Sequence, residues 1–287
     1  MTIGSNKTVL ITGASTGIGA ACALHLDQRG FTVYAGVRRE QDGEALKQLG
    51  AERLVPVMLD VTDESSIRQA RTQLSELVGS SGLYGLVNNA GIAVVGPLEA
   101  VPIPMLRRQL EINVIGQVAV TQAFLPLIRQ ARGRIVNMGS IAGRGAIPLM
   151  GPYAASKFAL EAITDALRLE VQQWGIEVSI VEPGAIATPI WQKTKQEAGA
   201  LEAAVFPELL ALYDNVIVPV RSVMEQATAR AIPCDAVSKA VEHALTAPRP
   251  KTRYLVGRDA KLRALMIKLL PDRIADRVLS LALKLPR

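Results

Sequence analysis

The chain has 287 residues, 49% of them apolar in the wide sense, 20% charged and 4% aromatic, which excludes a disordered or low-complexity protein, since such chains are polar and strongly charged. Two cysteines, Cys22 and Cys234, without a CxxC spacing, and two histidines, His25 and His243, exclude a disulfide framework and a structural zinc site, so no metal is expected and both thiols are read as free in a reducing cytoplasm. The net charge of +6 belongs to the tail: residues 249 to 287 hold 11 Lys/Arg against 3 Asp/Glu, which leaves −2 for everything before them, and the amino terminus carries no targeting pattern.

Taken in chain order, the first β-branched run, Thr8 to Thr12, leads into Gly13-Ala14-Ser15-Thr16-Gly17-Ile18-Gly19 and a helical pattern from Ala20 to Arg29. Glycines at a strand-to-helix turn let the backbone approach a pyrophosphate, whose charge meets the free N–H groups and positive end of the helix. Gly13, Ser15, Thr16, Gly17, Ile18 and Gly19 are therefore candidate nucleotide contacts. Glycines also make plain turns; the strand before and the helix after favour the dinucleotide reading. The second strand, Thr32 to Val37, ends in Arg38-Arg39, where a chain that prefers NAD carries an acid for the ribose 2′-hydroxyl. Two guanidiniums suit a 2′-phosphate, so NADP(H) is favoured over NAD(H); the alternative is that they only solvate the surface.

A third strand, Leu54 to Leu59, ends at Asp60-Val61, a helical pattern follows from Glu64 to Val78, and a fourth strand, Leu83 to Val87, ends at Asn88-Asn89-Ala90-Gly91. Asp60 and Val61, with Asn89, Ala90 and Gly91, are thus placed to line the same crevice on its adenine side, although each taken singly is ordinary turn chemistry. A helical pattern from Met105 to Ile128 and a fifth strand, Arg134 to Met138, bring the chain to Ser140. Next comes Tyr153-Ala154-Ala155-Ser156-Lys157, opening a helical pattern that runs to Trp174. Tyr153 and Lys157 are four apart and project from one helix face, so they act on one ligand. A phenol with a pKa of about 10 is a poor proton shuttle at neutral pH, and a nearby ammonium favours its phenolate. Ser140 is placed to hydrogen-bond a substrate oxygen as its charge changes.

After a sixth strand, Glu177 to Val181, residues 187 to 231 break the rhythm, being long and rich in apolar residues such as Ile190, Trp191, Phe206 and Leu210. A segment of that length following a strand's carboxyl end reads as a substrate-binding lid. A seventh strand, Arg253 to Val256, precedes the basic extension 258–287, where Leu262, Leu265, Met266, Leu269 and Leu270, then Ile274, Val278 and Leu281, recur at helical spacing. Such helices either cover the cleft or pack on another subunit, which is the favoured reading, or lie weakly on a membrane surface. Seven strands joined by crossovers make the whole a single α/β domain, a doubly wound seven-stranded parallel sheet of Rossmann type with helices on both faces.

In this order, T-G-x-x-x-G-x-G over Thr12 to Gly19, Asp60, N-N-A-G over Asn88 to Gly91, Asn113, Ser140, Y-x-x-x-K over Tyr153 to Lys157, and Pro183-Gly184 resemble the short-chain dehydrogenase/reductase family across residues 7 to 257. The stretch Tyr153 to Ile190, including Glu161 and Val181-Glu182-Pro183-Gly184, is further similar to the branch of retinol and hydroxysteroid dehydrogenases, some of them membrane-associated. The resemblance implies that Tyr153 is the acid/base, that Lys157 lowers its pKa and holds the nicotinamide ribose, and that Ser140 orients the carbonyl or alcohol. It implies too that the Asn113 carbonyl supports a water leading to Lys157, and that Pro183, Gly184, Ile186 and Thr188 meet the nicotinamide. One departure is Met138-Gly139 before Ser140, where small polar residues are commoner.

The expected function is an NADP(H)-dependent oxidoreductase interconverting a hydrophobic alcohol and its ketone or aldehyde, of steroid, retinoid or long-chain type. It is expected in the cytoplasm as a homodimer or homotetramer. The competing class is a redox-sensing regulator or scaffold of the same fold, which would not need Asn113, Ser140, Tyr153 and Lys157 together. Nucleic acid is not an expected partner, because the basic tail lacks interleaved aromatics and a recognised module.

Overall fold

A computed structural model of the chain describes residues 7–189, Gly199 and residues 207–285. Ile190, Trp191 and Phe206, expected in the lid, lie outside the described residues, as do Met1 to Asn6. Seven strands, β1 (Thr8–Ile11), β2 (Thr32–Val37), β3 (Leu54–Met58), β4 (Gly85–Asn88), β5 (Arg134–Met138), β6 (Glu177–Pro183) and β7 (Arg253–Val256), form one parallel sheet in the order β3-β2-β1-β4-β5-β6-β7. The first six helices are α1 (Gly17–Gln28), α2 (Glu40–Leu49), α3 (Glu64–Val78), α4 (Ile103–Leu110), α5 (Gly116–Ala131) and α6 (Gly151–Val171). Further helices among the described residues are α7 (Pro207–Ala211), α8 (Asp214–Ala229), α9 (Asp235–Thr246), α10 (Arg258–Leu269) and α11 (Asp272–Ala282). The fold is the single α/β domain expected.

The two-residue period of a strand sorts its side chains between two cores. In β1, Val9 and Ile11 pack with Cys22, Ala23 and Leu26 of α1 and Val237 and Val241 of α9, while Leu10 faces Ile67 and Leu74 of α3 and Val120, Phe124 and Ile128 of α5. Both faces are apolar because both are covered, which is why the strands read as continuous Val/Ile/Leu runs rather than as alternation. Each fully buried Leu, Ile or Phe stabilises the layers by about 1.5–3 kcal/mol. The stretch Ile103–Ala131 is long and apolar enough to span a membrane, yet Val120, Phe124, Leu127 and Ile128 spend that apolarity on the sheet.

Several expected boundaries move. Thr12 and Leu59 lie just outside their strands, Leu83 and Tyr84 precede β4, and α1 begins at Gly17 rather than Ala20. The single helix expected from Met105 to Ile128 is three pieces, with a π-helical turn at Glu111–Ile115 between α4 and α5. The extra residue of that turn leaves the apolar period almost intact, so spacing alone does not reveal it. Residues 207–211 and 214–229 of the expected lid are helical.

Strand order reverses between β1 and β4, and at such a point the loops leaving the carboxyl ends diverge and open a crevice. Beneath it a buried polar relay joins the elements that carry the site. Asn88 Nδ2 donates to Thr121 Oγ1 (2.8 Å) and Asn137 Oδ1 (3.0 Å), and Asn137 Nδ2 donates to Thr164 Oγ1 (2.8 Å).

Candidate active site

A cleft of about 930 Å³ runs along the carboxyl ends of the strands. At one end lies the glycine-rich turn. Gly13 has φ +63°, and a Cβ there would come 2.8 Å from Ala90 Cα, so only glycine lets the turn close on the β4 loop. Asn89 fixes it: its Nδ2 donates to the carbonyls of Thr12 and Gly13, both at 3.0 Å, while Thr12 Oγ1 accepts from the amides of Asn89 (2.9 Å) and Ala90 (3.0 Å). Helix α1 starts with no acidic residue in its first turn and no side-chain cap from Thr16, so its positive end is left for an anion. The turn thus fits a pyrophosphate.

Gly13, Ser15, Thr16, Gly17, Ile18, Arg38, Asp60, Val61, Asn89, Ala90 and Gly91 line this end of the cleft. Gly19 does not; it packs inward, where a Cβ would overlap the Gly13 carbonyl and Asn89 Nδ2. The two arginines part company. Arg38 faces the cleft, whereas Arg39 lies outside it and forks onto Asp42, with Nε and Nη2 each 2.9 Å from a carboxylate oxygen. Asp60 faces the cleft with Oδ1 accepting from Thr62 N (2.9 Å) and Thr62 Oγ1 (2.7 Å).

At the other end Ser140, Tyr153, Lys157, Pro183, Gly184, Ile186 and Thr188 converge with Asn113. Ser140 follows β5, and Gly139 before it is dictated by packing, since a Cβ would press on Ile180 Cγ1 at 2.8 Å. That accounts for Gly139 in the unusual Met138-Gly139 pair. The Tyr153 hydroxyl is hydrogen-bonded to Ser140, which favours its phenolate, but burial outweighs this and holds the phenol above its ordinary pKa. The Lys157 ammonium donates to the Met138 carbonyl at 2.6 Å and lies 5.8 Å from the Tyr153 ring centroid. Burial in turn lowers the Lys157 pKa to about 8.

Asn113 sits in the π-helical turn, fully buried. Its carboxamide accepts from Ile92 N (2.9 Å) and donates to Ile92 O (3.0 Å) and Ser156 Oγ (3.1 Å), binding the β4 loop to α6. The π turn and the carboxamide together hold Tyr153's helix against the nucleotide loop.

Sequence reasoning missed a charged cluster behind Lys157. Glu161, one helical turn further, and Glu182, fully buried at the end of β6, share Arg144 and Arg253 with Asp165. Arg144 reaches both Glu182 oxygens (2.7 and 2.5 Å), and Arg253 reaches Glu161 Oε2 (3.1 Å) and Asp165 Oδ2 (2.5 Å). Arg168 Nη1 holds the other Asp165 oxygen at 2.7 Å, so three carboxylates face three guanidiniums, and Glu161 Oε1 accepts no hydrogen bond from the described residues. Burial first, and the Glu182 charge second, push the Glu161 pKa up to about 7. An acid inside the apolar run of β6 was the available signal, since buried carboxylates require partners. Cleft walls also come from beyond residue 220: Met224 of α8, within the segment expected as a lid, and Leu262, Arg263 and Met266 of α10 with Val278 and Leu279 of α11, in the extension expected either to cover the cleft or to pack on another subunit.

Residues 7–199 match the family model for short chain dehydrogenase. Human retinol dehydrogenase 5 is 42% identical over 289 residues, covering 98% of this chain and 90% of the relative. The NADPH-dependent 3-dehydrocapnine reductase of Ornithobacterium rhinotracheale is 34% identical over 277 residues, covering 95% of each. Among solved structures, a short chain dehydrogenase from Burkholderia cenocepacia in complex with NADP superposes with a TM-score of 0.72 at 28% identity, over 98% of this chain and 99% of that one.

Proposed function

The chain belongs to the short-chain dehydrogenase family, in its retinol-dehydrogenase-like branch, and is an oxidoreductase acting on CH–OH groups with a nicotinamide nucleotide; from that premise we propose that it uses NADP(H) to interconvert a hydrophobic alcohol and its ketone or aldehyde. The observation that carries this reading is the convergence of Ser140, Tyr153 and Lys157 at one end of a cleft whose other end is the glycine-rich turn with Arg38. A redox sensor has no use for that proton-transfer set, so the regulator reading is set aside.

Gly13 and Ser15 to Ile18 would hold the pyrophosphate on the first turn of α1, Asp60, Val61 and Asn89 to Gly91 the adenosine, and Pro183, Gly184, Ile186 and Thr188 the nicotinamide. Arg38, with no ion-pair partner among the described residues, would take the 2′-phosphate. Bound there, the nicotinamide supplies hydride transfer. Tyr153, held protonated by burial, donates its proton to the substrate oxygen during reduction and regains it in the reverse direction. Ser140 orients that oxygen, and Lys157 steadies the charge left on the phenol and the ribose beside it. On the α10 and α11 side the cleft is lined by Leu262, Met266, Ile267, Val278 and Leu279 as well as by Asp259, Arg263, Asp272 and Asp276, and that apolar share favours burial of a steroid, retinoid or long-chain body over a sugar. The reductase and retinol dehydrogenase names of the relatives agree with this class. Assembly as a homodimer or homotetramer in the cytoplasm belongs to the same proposal, with weak membrane contact through the exposed Leu262, Leu265, Leu269, Ile274, Val278 and Leu281.

The deciding experiment follows NADPH and NADH absorbance over retinoids, steroid ketones, acyl ketones and small polar carbonyls. Turnover is expected with apolar carbonyls and NADPH. Preference for NADH, or for a sugar or small charged acid, overturns the proposal.

A further inference from the structure

Helix α10 touches both walls of the reactive end of the cleft. In its first turn Asp259 Oδ2 accepts from the Ala185 amide at 2.7 Å, and one turn later Arg263 Nη2 donates to the Gly145 carbonyl at 2.5 Å. Ala185 follows Pro183-Gly184, and Gly145 lies in the loop that runs from Ser140 to α6. Between these two ties, Ala260 and Ala264 pack on Ile141 beside Ser140.

Glycines make room for the contact at each tie. A Cβ on Gly184 or on Gly257 would overlap the Asp259 carboxylate, and one on Gly145 would stand 2.7 Å from Ile267 Cδ1. The turn has other staples on either side, Gly184 N to Val256 O (2.9 Å) and Ala187 N to Ile232 O (3.0 Å). Between these staples the Ala185 amide donates to Asp259. Among the described residues Arg263 donates to no carboxylate, and burial lowers its pKa while the Asp259 charge one turn back raises it.

We infer that Asp259 and Arg263 are positioning residues: through one rigid helix they fasten the Pro183-to-Thr188 turn to the Ser140 loop, so that the wall meeting the nicotinamide and the wall orienting the substrate oxygen keep a fixed separation. Residues four apart on a helix lie on one face about 5–6 Å apart, a length that does not stretch as a loop does. Hydride transfer requires reacting atoms about 3–3.5 Å apart, so a small widening between these walls lowers rate before it lowers binding. The inference rests on the nicotinamide reading of this end of the cleft.

The test compares the wild type with Asp259→Ala, Asp259→Asn and Arg263→Ala, using NADPH and the half-cofactor 2′,5′-ADP, which lacks the nicotinamide. Asp259→Ala is expected to bind 2′,5′-ADP as the wild type does but NADPH roughly tenfold more weakly, with faster hydrogen exchange at the Ala185 amide. Asp259→Asn, which keeps an acceptor oxygen, restores most of both. Arg263→Ala is expected to bind both nucleotides normally and to lose kcat. Should Asp259→Ala not fold, Gly184→Ala displaces the same carboxylate and is expected to give the same selective loss. Equal weakening of both nucleotides, or wild-type Ala185 exchange in the folded variants, overturns the inference. Failure of the wild type to bind 2′,5′-ADP would instead strike the nucleotide reading, while the exchange measurement still judges the clasp.

Discussion

Glu161 stands one helical turn beyond Lys157, and the two titrate against each other: burial pushes the carboxyl up to about 7 and the ammonium down to about 8. Glu161, folded, holds its proton to higher pH than in the unfolded chain, where the ordinary value is 4.5. Its contribution to stability is therefore complete below pH 4.5 and fades as pH rises through about 7. Glu161→Gln should remove that slope. Unfolding by urea at pH 5 and pH 8 should show the wild type losing roughly 1–3 kcal/mol more than the variant between the two. Parallel losses would mean that Glu161 is ionised throughout.

For Lys157 the folded pKa lies below the unfolded one, so its ammonium is the form that folding disfavours. Nucleotide affinity should fall as pH rises through about 8, because the charge that holds the ribose is titrated away. An affinity level from pH 7 to pH 9.5 would place the ribose contact elsewhere.

Tyr153→Phe removes the transferable proton and leaves the ring. Turnover should fall by about 10²–10⁴, while NADPH binding, followed by fluorescence, stays within a few-fold. Wild-type turnover in this variant would remove Tyr153 from the chemistry.

The two arginines should behave unequally. Arg38→Asp should weaken NADPH by roughly 10- to 100-fold relative to NADH through loss of a charge-assisted pair. Arg39→Asp should do much less, since Arg39 is already engaged by Asp42 and stands outside the cleft. An unchanged preference in both would assign the 2′-phosphate to another residue.

Along a homologous series of ketones, kcat/KM should rise about three- to fourfold per added methylene, from about 0.8 kcal/mol of transfer energy each, until the apolar wall of α10 and α11 is covered. A flat series would show that the chain of the substrate stays in water.

The sheet and the reactive residues were legible because their signals are local. Val9-Leu10-Ile11 reads as a strand buried on both faces, and Tyr153 and Lys157 share a helix face by spacing alone. What stayed hidden depends on partners far along the chain. Arg38 and Arg39 look alike until the end of β2 aims only the first at the cleft. Lys157 was expected to act on Tyr153, and nothing in its neighbours announces the Met138 carbonyl that takes its ammonium. Asp259 looks like an ordinary acid in a first helical turn until Ala185, 74 residues earlier, is brought against it.

That distance has a consequence for the chain as it is made. Ser140, Tyr153 and Lys157 emerge during synthesis well before β7 and α10, yet the Gly184 amide waits for the Val256 carbonyl and the Ala185 amide for Asp259. A nascent chain that has not yet reached β7 and α10 therefore carries Ser140, Tyr153 and Lys157 while the Gly184 and Ala185 amides still lack the oxygens they donate to.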